Sequence, residues 1–134
     1  MGVYWVEIAD KNQTEQQIQF LKRCLKPAGY VLDLACGSGR HSIALSADGY
    51  KIVGLDASLR LLKIAKQRSQ DIAVVLGDIR FLPFKTGTFD AAVSVDTSFG
   101  YLPSEADDKV SLSEVRRVLP QGGLLVIDVF KGEY

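Results

Sequence analysis

VLDLACGSGRHS, residues 31–42, decides the fold. A dense apolar run breaks into a glycine turn and then opens a helix. YVLDLA has the length and apolar density of a buried strand. Gly37 and Gly39 permit positive φ and a close backbone approach by a ligand. The helix after them aims free N–H groups and a partial positive charge at the same point. Turns of this kind hold dinucleotides, nucleoside triphosphates or adenosine-containing methyl donors. A G-x-x-x-x-G-K-[ST] phosphate loop is absent, which argues against a nucleoside triphosphatase. A dinucleotide fingerprint would want a third glycine where Ser42 stands, and that mismatch is mild.

Outward from this turn, strand and helix patterns alternate. Before it, Thr14 to Lys26 reads as an amphipathic helix, with Thr14 and Gln17 as a capping box and Pro27 and Gly29 closing it. After it come a helix from Arg40 to Ala47, the strand KIVGLD, a helix capped by Ser58 that carries Leu62 and Ala65, and the strands AVVLGD and FDAAVSVD. Ser104 to Asp107 opens a last helix with Leu112, Val115 and Leu119 on one face, and Gln121-Gly122-Gly123 turns the chain into the strand LLVIDVF. This alternation implies parallel strands joined by right-handed crossovers. The expectation is an open α/β sheet of Rossmann-like, doubly wound type, with its ligand crevice at the carboxyl ends of the strands.

Bulk properties allow one domain over residues 1–134, with 1–29 as an N-terminal helical segment. A hydrophobic fraction of 47% and a charged fraction of 24% are ordinary for a globular protein. Sixteen basic and sixteen acidic residues balance to zero, so a broad electropositive surface for nucleic acid is not expected. Cys24 and Cys36 lack metal or disulfide-scaffold spacing and read as reduced thiols of a cytoplasmic protein. The start has no secretory pattern, and no run has the length of a membrane-spanning helix.

The residues leaving the strand ends are Cys36 to Gly39, Asp56, Asp78 and Asp96 to Tyr101. Asp56 lies nineteen residues after Gly37, where a carboxylate accepts from both ribose hydroxyls of a bound adenosine. That serves NAD and S-adenosylmethionine equally. Asp78, ending the next strand, supplies a second carboxylate within reach of an adenine amino group, which favours the methyl donor.

Taken together, these stretches resemble a class I S-adenosylmethionine-dependent methyltransferase over nearly the whole chain. VLDLACGSGRHS is similar to the family's first motif, KIVGLDAS to its second, and LGDIRFLPF to the segment whose aspartate meets adenine. FDAAVSVDTSFGYL resembles the strand and loop beside the methionine part of the donor, and EVRRVLPQGGLLVIDVF the late helix, glycine turn and fifth strand. The resemblance implies five parallel strands in the order 3-2-1-4-5, with helices on both faces. It implies methyl transfer by in-line displacement, with no metal and no covalent nucleophile. The implied cofactor-binding set is Asp33, Ala35, Gly37, Gly39, Arg40, Asp56, Ala57, Asp78, Ile79, Asp96 and Tyr101.

Individual residues carry competing readings. Asp33 orients the glycine turn or meets the donor's ammonium, with the supporting role favoured. Arg40 either pairs with the donor's carboxylate or is solvated. His41, the single histidine, is a weak candidate for a general base, and an orienting role is favoured. Phe99 and Tyr101 are either an aromatic wall near the sulfonium or packing residues of their loop. The loop DTSFGYL lacks the [DN]-P-P-[YF] pattern of methyltransferases acting on nucleobase or glutamine amino groups. A small-molecule acceptor is therefore expected.

The family's usual sixth and seventh strands are absent after LLVIDVF. The favoured expectation is a C-terminally truncated piece of a longer enzyme, its fifth strand left as an apolar edge that is either uncovered or paired with a second subunit. Two other readings remain open: a non-catalytic S-adenosylmethionine-binding module and, behind it, a nucleotide-dependent oxidoreductase.

Overall fold

The computed structural model describes residues 2–8, 14–25, 29–95 and 105–130. The order is β1 (Gly2–Ile8), α1 (Thr14–Cys24), β2 (Tyr30–Leu34), α2 (Arg40–Ala47), β3 (Lys51–Asp56), α3 (Leu59–Arg68), β4 (Ala73–Leu76), β5 (Ala91–Ser94), α4 (Glu105–Val118) and β6 (Leu124–Phe130). The strands form one six-stranded sheet in the order β1-β6-β5-β2-β3-β4, every pairing parallel. Its last five strands reproduce the expected order 3-2-1-4-5.

Successive residues of the central strands feed two cores. Leu32, Leu34, Leu55, Ala92, Leu125 and Ile127 pack with Val115 and Val118 of α4, and with Leu119 just after it, on one face. Val31, Ile52, Ala91, Val93 and Val126 pack with Ile18 and Leu21 of α1 and Leu45 of α2 on the other. The period of two along each strand therefore sends alternate side chains into different helix layers. The strand order reverses between β2 and β5, the chain building β3 and β4 to one side of β2 and β5 and β6 to the other, which places a crevice at their carboxyl ends.

Three expectations change. The N-terminal segment carries a strand before its helix: β1 pairs with β6 over its full length, from Gly2 opposite Leu124 to Ile8 opposite Phe130. The strand LLVIDVF is therefore neither uncovered nor left to a second subunit, because this chain's own β1 covers it. The run Val3-Tyr4-Trp5-Val6-Glu7-Ile8, rich in β-branched and aromatic residues, is the signal that marks β1. On α4, Leu112 is exposed while Ser111 is fully buried, so the inward stripe runs through Ser111, Val115 and Val118, a helical spacing of four and three. No helix of the described residues is long and apolar enough to cross a membrane.

Candidate functional site

The turn after β2 is built from alternating left-handed residues. Ala35 (φ 55°), Gly37 (φ 58°) and Gly39 (φ 81°) all have positive φ, and Ala35 does so without glycine's freedom. Backbone bonds hold the turn: Cys36 N–H donates to Leu55 O at 2.9 Å and Gly39 N–H to Cys36 O at 3.0 Å. The two glycines differ in purpose. A Cβ on Gly37 would meet only Leu61, 4.0 Å away, whereas one on Gly39 would press on Ala65 and Ile72 at 3.1 Å. Gly37 thus keeps its backbone approachable, and Gly39 lets the turn lie against α3.

Asp56 ties this turn to the end of β3. Its Oδ2 accepts from Gly37 N–H at 2.8 Å and its Oδ1 from Ser58 N–H at 2.9 Å. A carboxylate offers about four lone-pair sites, so acceptor capacity remains for a diol. Ser58 caps α3, its hydroxyl accepting from Leu61 N–H at 3.2 Å. Ala57, between them, is exposed. From α3, Arg68 donates to Ser38 O and Oγ at 3.3 and 3.2 Å.

Asp33 is buried beneath the turn and accepts from Ser42 Oγ at 2.5 Å. Burial pushes its carboxyl up to about 7; the Ser42 bond pulls it back and the Asp56 charge adds to the rise. Asp33 is thus tied to α2 through the side chain of Ser42, the residue that stands where a third glycine was sought. Cys36, wedged beside the same carboxylates, has its thiol pushed up to about 12, chiefly by burial and then by the Asp33 and Asp56 charges. Gly54 makes room for it: a Cβ there would lie 2.7 Å from Cys36 Sγ.

His41 is buried on the first turn of α2, its Nε2 2.8 Å from Gln17 Oε1 on α1. Because an amide oxygen only accepts, Nε2 carries the proton in this contact. Gln17, read as half of a capping box, thus reaches across to α2. Arg40 opens α2 and is partly buried.

Asp78 follows β4, one strand beyond Asp56, and Gly77 N–H donates to Asp56 O at 3.0 Å, joining the two strand ends. Arg80 grips Asp78 through Nε (3.0 Å to Oδ1) and Nη2 (2.6 Å to Oδ2), and its backbone N–H donates to Oδ1 at 2.9 Å. These bonds hold the Asp78 carboxyl below its usual range. Sequence reading missed this grip, which needs the turn geometry that brings residues two apart face to face. Ile79 is buried in the core beside α4. Asp96, Phe99 and Tyr101 lie outside the described residues. A cavity of about 430 Å³ lined by Cys24, Asp90 and Gln121 sits at the amino ends of the strands, the opposite end from the turn.

Residues 31–123 match the family described as a methyltransferase domain. The demethylmenaquinone methyltransferase of Renibacterium salmoninarum is 41% identical over 104 residues, covering 78% of this chain and 42% of that protein. Among solved structures, the PH0226 protein of Pyrococcus horikoshii superposes with a TM-score of 0.79 at 30% identity, over 87% of this chain and 53% of that one. A SAM-dependent methyltransferase of Thermotoga maritima gives 0.68 at 32%, over 84% and 50%. The chain spans about half the length of such relatives.

Proposed function

Since the chain belongs to the class I S-adenosylmethionine-dependent methyltransferases, we propose that it is the donor-binding core of such an enzyme, acting on a small-molecule acceptor. The observation that carries this reading is the Gly37–Asp56–Asp78 constellation: an approachable turn and two carboxylates at successive strand ends, linked by Gly37 N–H to Asp56 and Gly77 N–H to Asp56 O. It fits S-adenosylmethionine, with Asp56 for the ribose hydroxyls, Asp78 for the adenine amino group and Gly37 and Ala35 along the ligand's path.

Bound there, S-adenosylmethionine supplies a methyl group already activated on a sulfonium. The chain's own tasks are to hold, orient and keep water out. Asp56 and the turn hold one another in place. Asp33 supports the turn from below through Ser42. His41 is assigned to orientation, linking α2 to α1 through Gln17, and Arg40 to the donor's carboxylate end. Asp96 and Tyr101 keep their proposed place beside the methionine part. The setting is the cytosol, in keeping with two unpaired cysteines.

Asp56→Ala should weaken S-adenosylhomocysteine binding by about 1–3 kcal/mol, measured by titration calorimetry. Unchanged affinity would remove Asp56 from the site. Tight NAD binding in place of S-adenosylhomocysteine would favour the oxidoreductase reading instead.

A further inference from the structure

Between β4 and β5 runs a stretch, residues 77–90, with no helix or strand of its own. Asp78 sits near its start. A stretch of this length must find partners for its backbone groups elsewhere, or it will not hold one conformation. Here the partners are two side chains one turn apart on α4. Leu82 N–H donates to Glu114 Oε1 at 2.8 Å, and Arg117 donates from Nη2 to Leu82 O at 2.9 Å and from Nη1 to Phe84 O at 2.7 Å. Arg117 Nε donates in turn to Glu114 Oε2 at 2.6 Å, so each side chain fixes the other. The α4 backbone adds two further bonds, from Gly87 N–H to Arg117 O and from Phe89 N–H to Val118 O, both 2.9 Å.

The clamp reaches Asp78 through a short, stiff connection. On one side, Gly77 N–H is bound to Asp56 O; on the other, Phe81 N–H closes a turn onto Asp78 O at 2.9 Å. The next residue is Leu82, held from both its N–H and its carbonyl by the pair on α4. Ile79 and Leu82 are buried against the α4 core, while Phe81 between them is exposed. Asp78 is therefore held between two fixed points, one on β3 and one on α4.

We propose that Glu114 and Arg117 are positioning residues for donor recognition: by clamping Leu82 and Phe84 they hold the Asp78 carboxylate where it reads the exocyclic amino group of the donor's base. This rests on the donor-binding reading above and goes beyond it, because neither residue lies at the strand ends. The ion pair itself is partly exposed, with 34% and 22% of the two side chains accessible. Its worth as a charge pair is accordingly small. Its effect lies in the backbone groups it fixes, and Arg117 suits this because one planar fork spans a carboxylate and two carbonyls.

The test uses two ligands that differ at one base substituent: S-adenosylhomocysteine, with a 6-amino group, and S-inosylhomocysteine, with a 6-oxo group that repels a carboxylate. Wild-type chain, Arg117→Lys and Glu114→Gln are titrated with each, and thermal melts of the same samples report folding. Wild type should prefer the amino ligand by about tenfold or more. In both variants that preference should shrink to within about threefold, with the loss falling on the amino ligand. A folded variant that keeps the wild-type ratio, or that loses both ligands equally, overturns the positioning role. Glu114→Gln retains a side chain of the same shape and keeps the test in force if Arg117→Lys fails to fold. Wild type that binds S-adenosylhomocysteine without preference overturns the clamp proposal alone; wild type that binds neither ligand overturns the donor reading beneath it.

Discussion

Asp33, Cys36, Gly37 and Asp56 crowd around one turn, and each is constrained by a neighbour that sequence does not place beside it. Gly54 shows this most clearly. Within β3 it looks like a weak point in a strand, yet its missing side chain leaves room for Cys36, whose Sγ and Cβ would lie 2.7 and 3.0 Å from an added methyl. Gly54→Ala should cost about 1–3 kcal/mol in urea unfolding. Cys36→Ala in the same chain should restore part of that loss, and strictly additive effects would separate the two residues. The cysteine was visible in the sequence as an unpaired thiol, but its role as filler under the turn depends on the β2–β3 register. The strand-end carboxylates were legible because spacing alone sets where a strand ends. The grip of Arg80 on Asp78 was not, since it depends on a local turn.

Among the elements, those with a strong local pattern were readable and those held by distant partners were not. β2, α2, β3 and α3 follow directly from apolar runs, glycine punctuation and the Ser58 cap. Glu114 and Arg117 carry no local signal of their role, because their partners Leu82 and Phe84 lie more than thirty residues away. β1 was hidden for another reason: its pairing with β6 joins the two ends of the sequence. Removing residues 1–8 should bare the β6 edge. Amide exchange along Leu124–Ile127 should then accelerate, and sedimentation should show self-association rising with concentration. Unchanged exchange in β6 would mean that β1 does not protect it.

For the molecule as a whole, the buried Asp33 shapes stability against pH. Its carboxyl is raised from 3.8 unfolded to about 7 folded, so between these values the folded state keeps a proton that the unfolded state has lost. Stability should therefore fall as pH rises from about 4 to about 7 and level off above, by on the order of a few kcal/mol. Asp78 and Glu114 are lowered by their arginine partners. They act in the opposite sense, favouring the fold above their unfolded values and losing that contribution as pH falls through the folded ones; their exposure keeps the effect small. Asp33→Asn should flatten the decline between pH 4 and 7, and an unchanged slope would place the titration elsewhere. The central claim is that the turn and the two strand-end carboxylates form one site for an adenosine-bearing methyl donor. Titration calorimetry with S-adenosylhomocysteine on wild type and Asp56→Ala tests it most directly. Saturable one-to-one binding, weakened about fivefold or more by the substitution, is the predicted result; no heat with wild type, beside saturable binding of NAD, would contradict it.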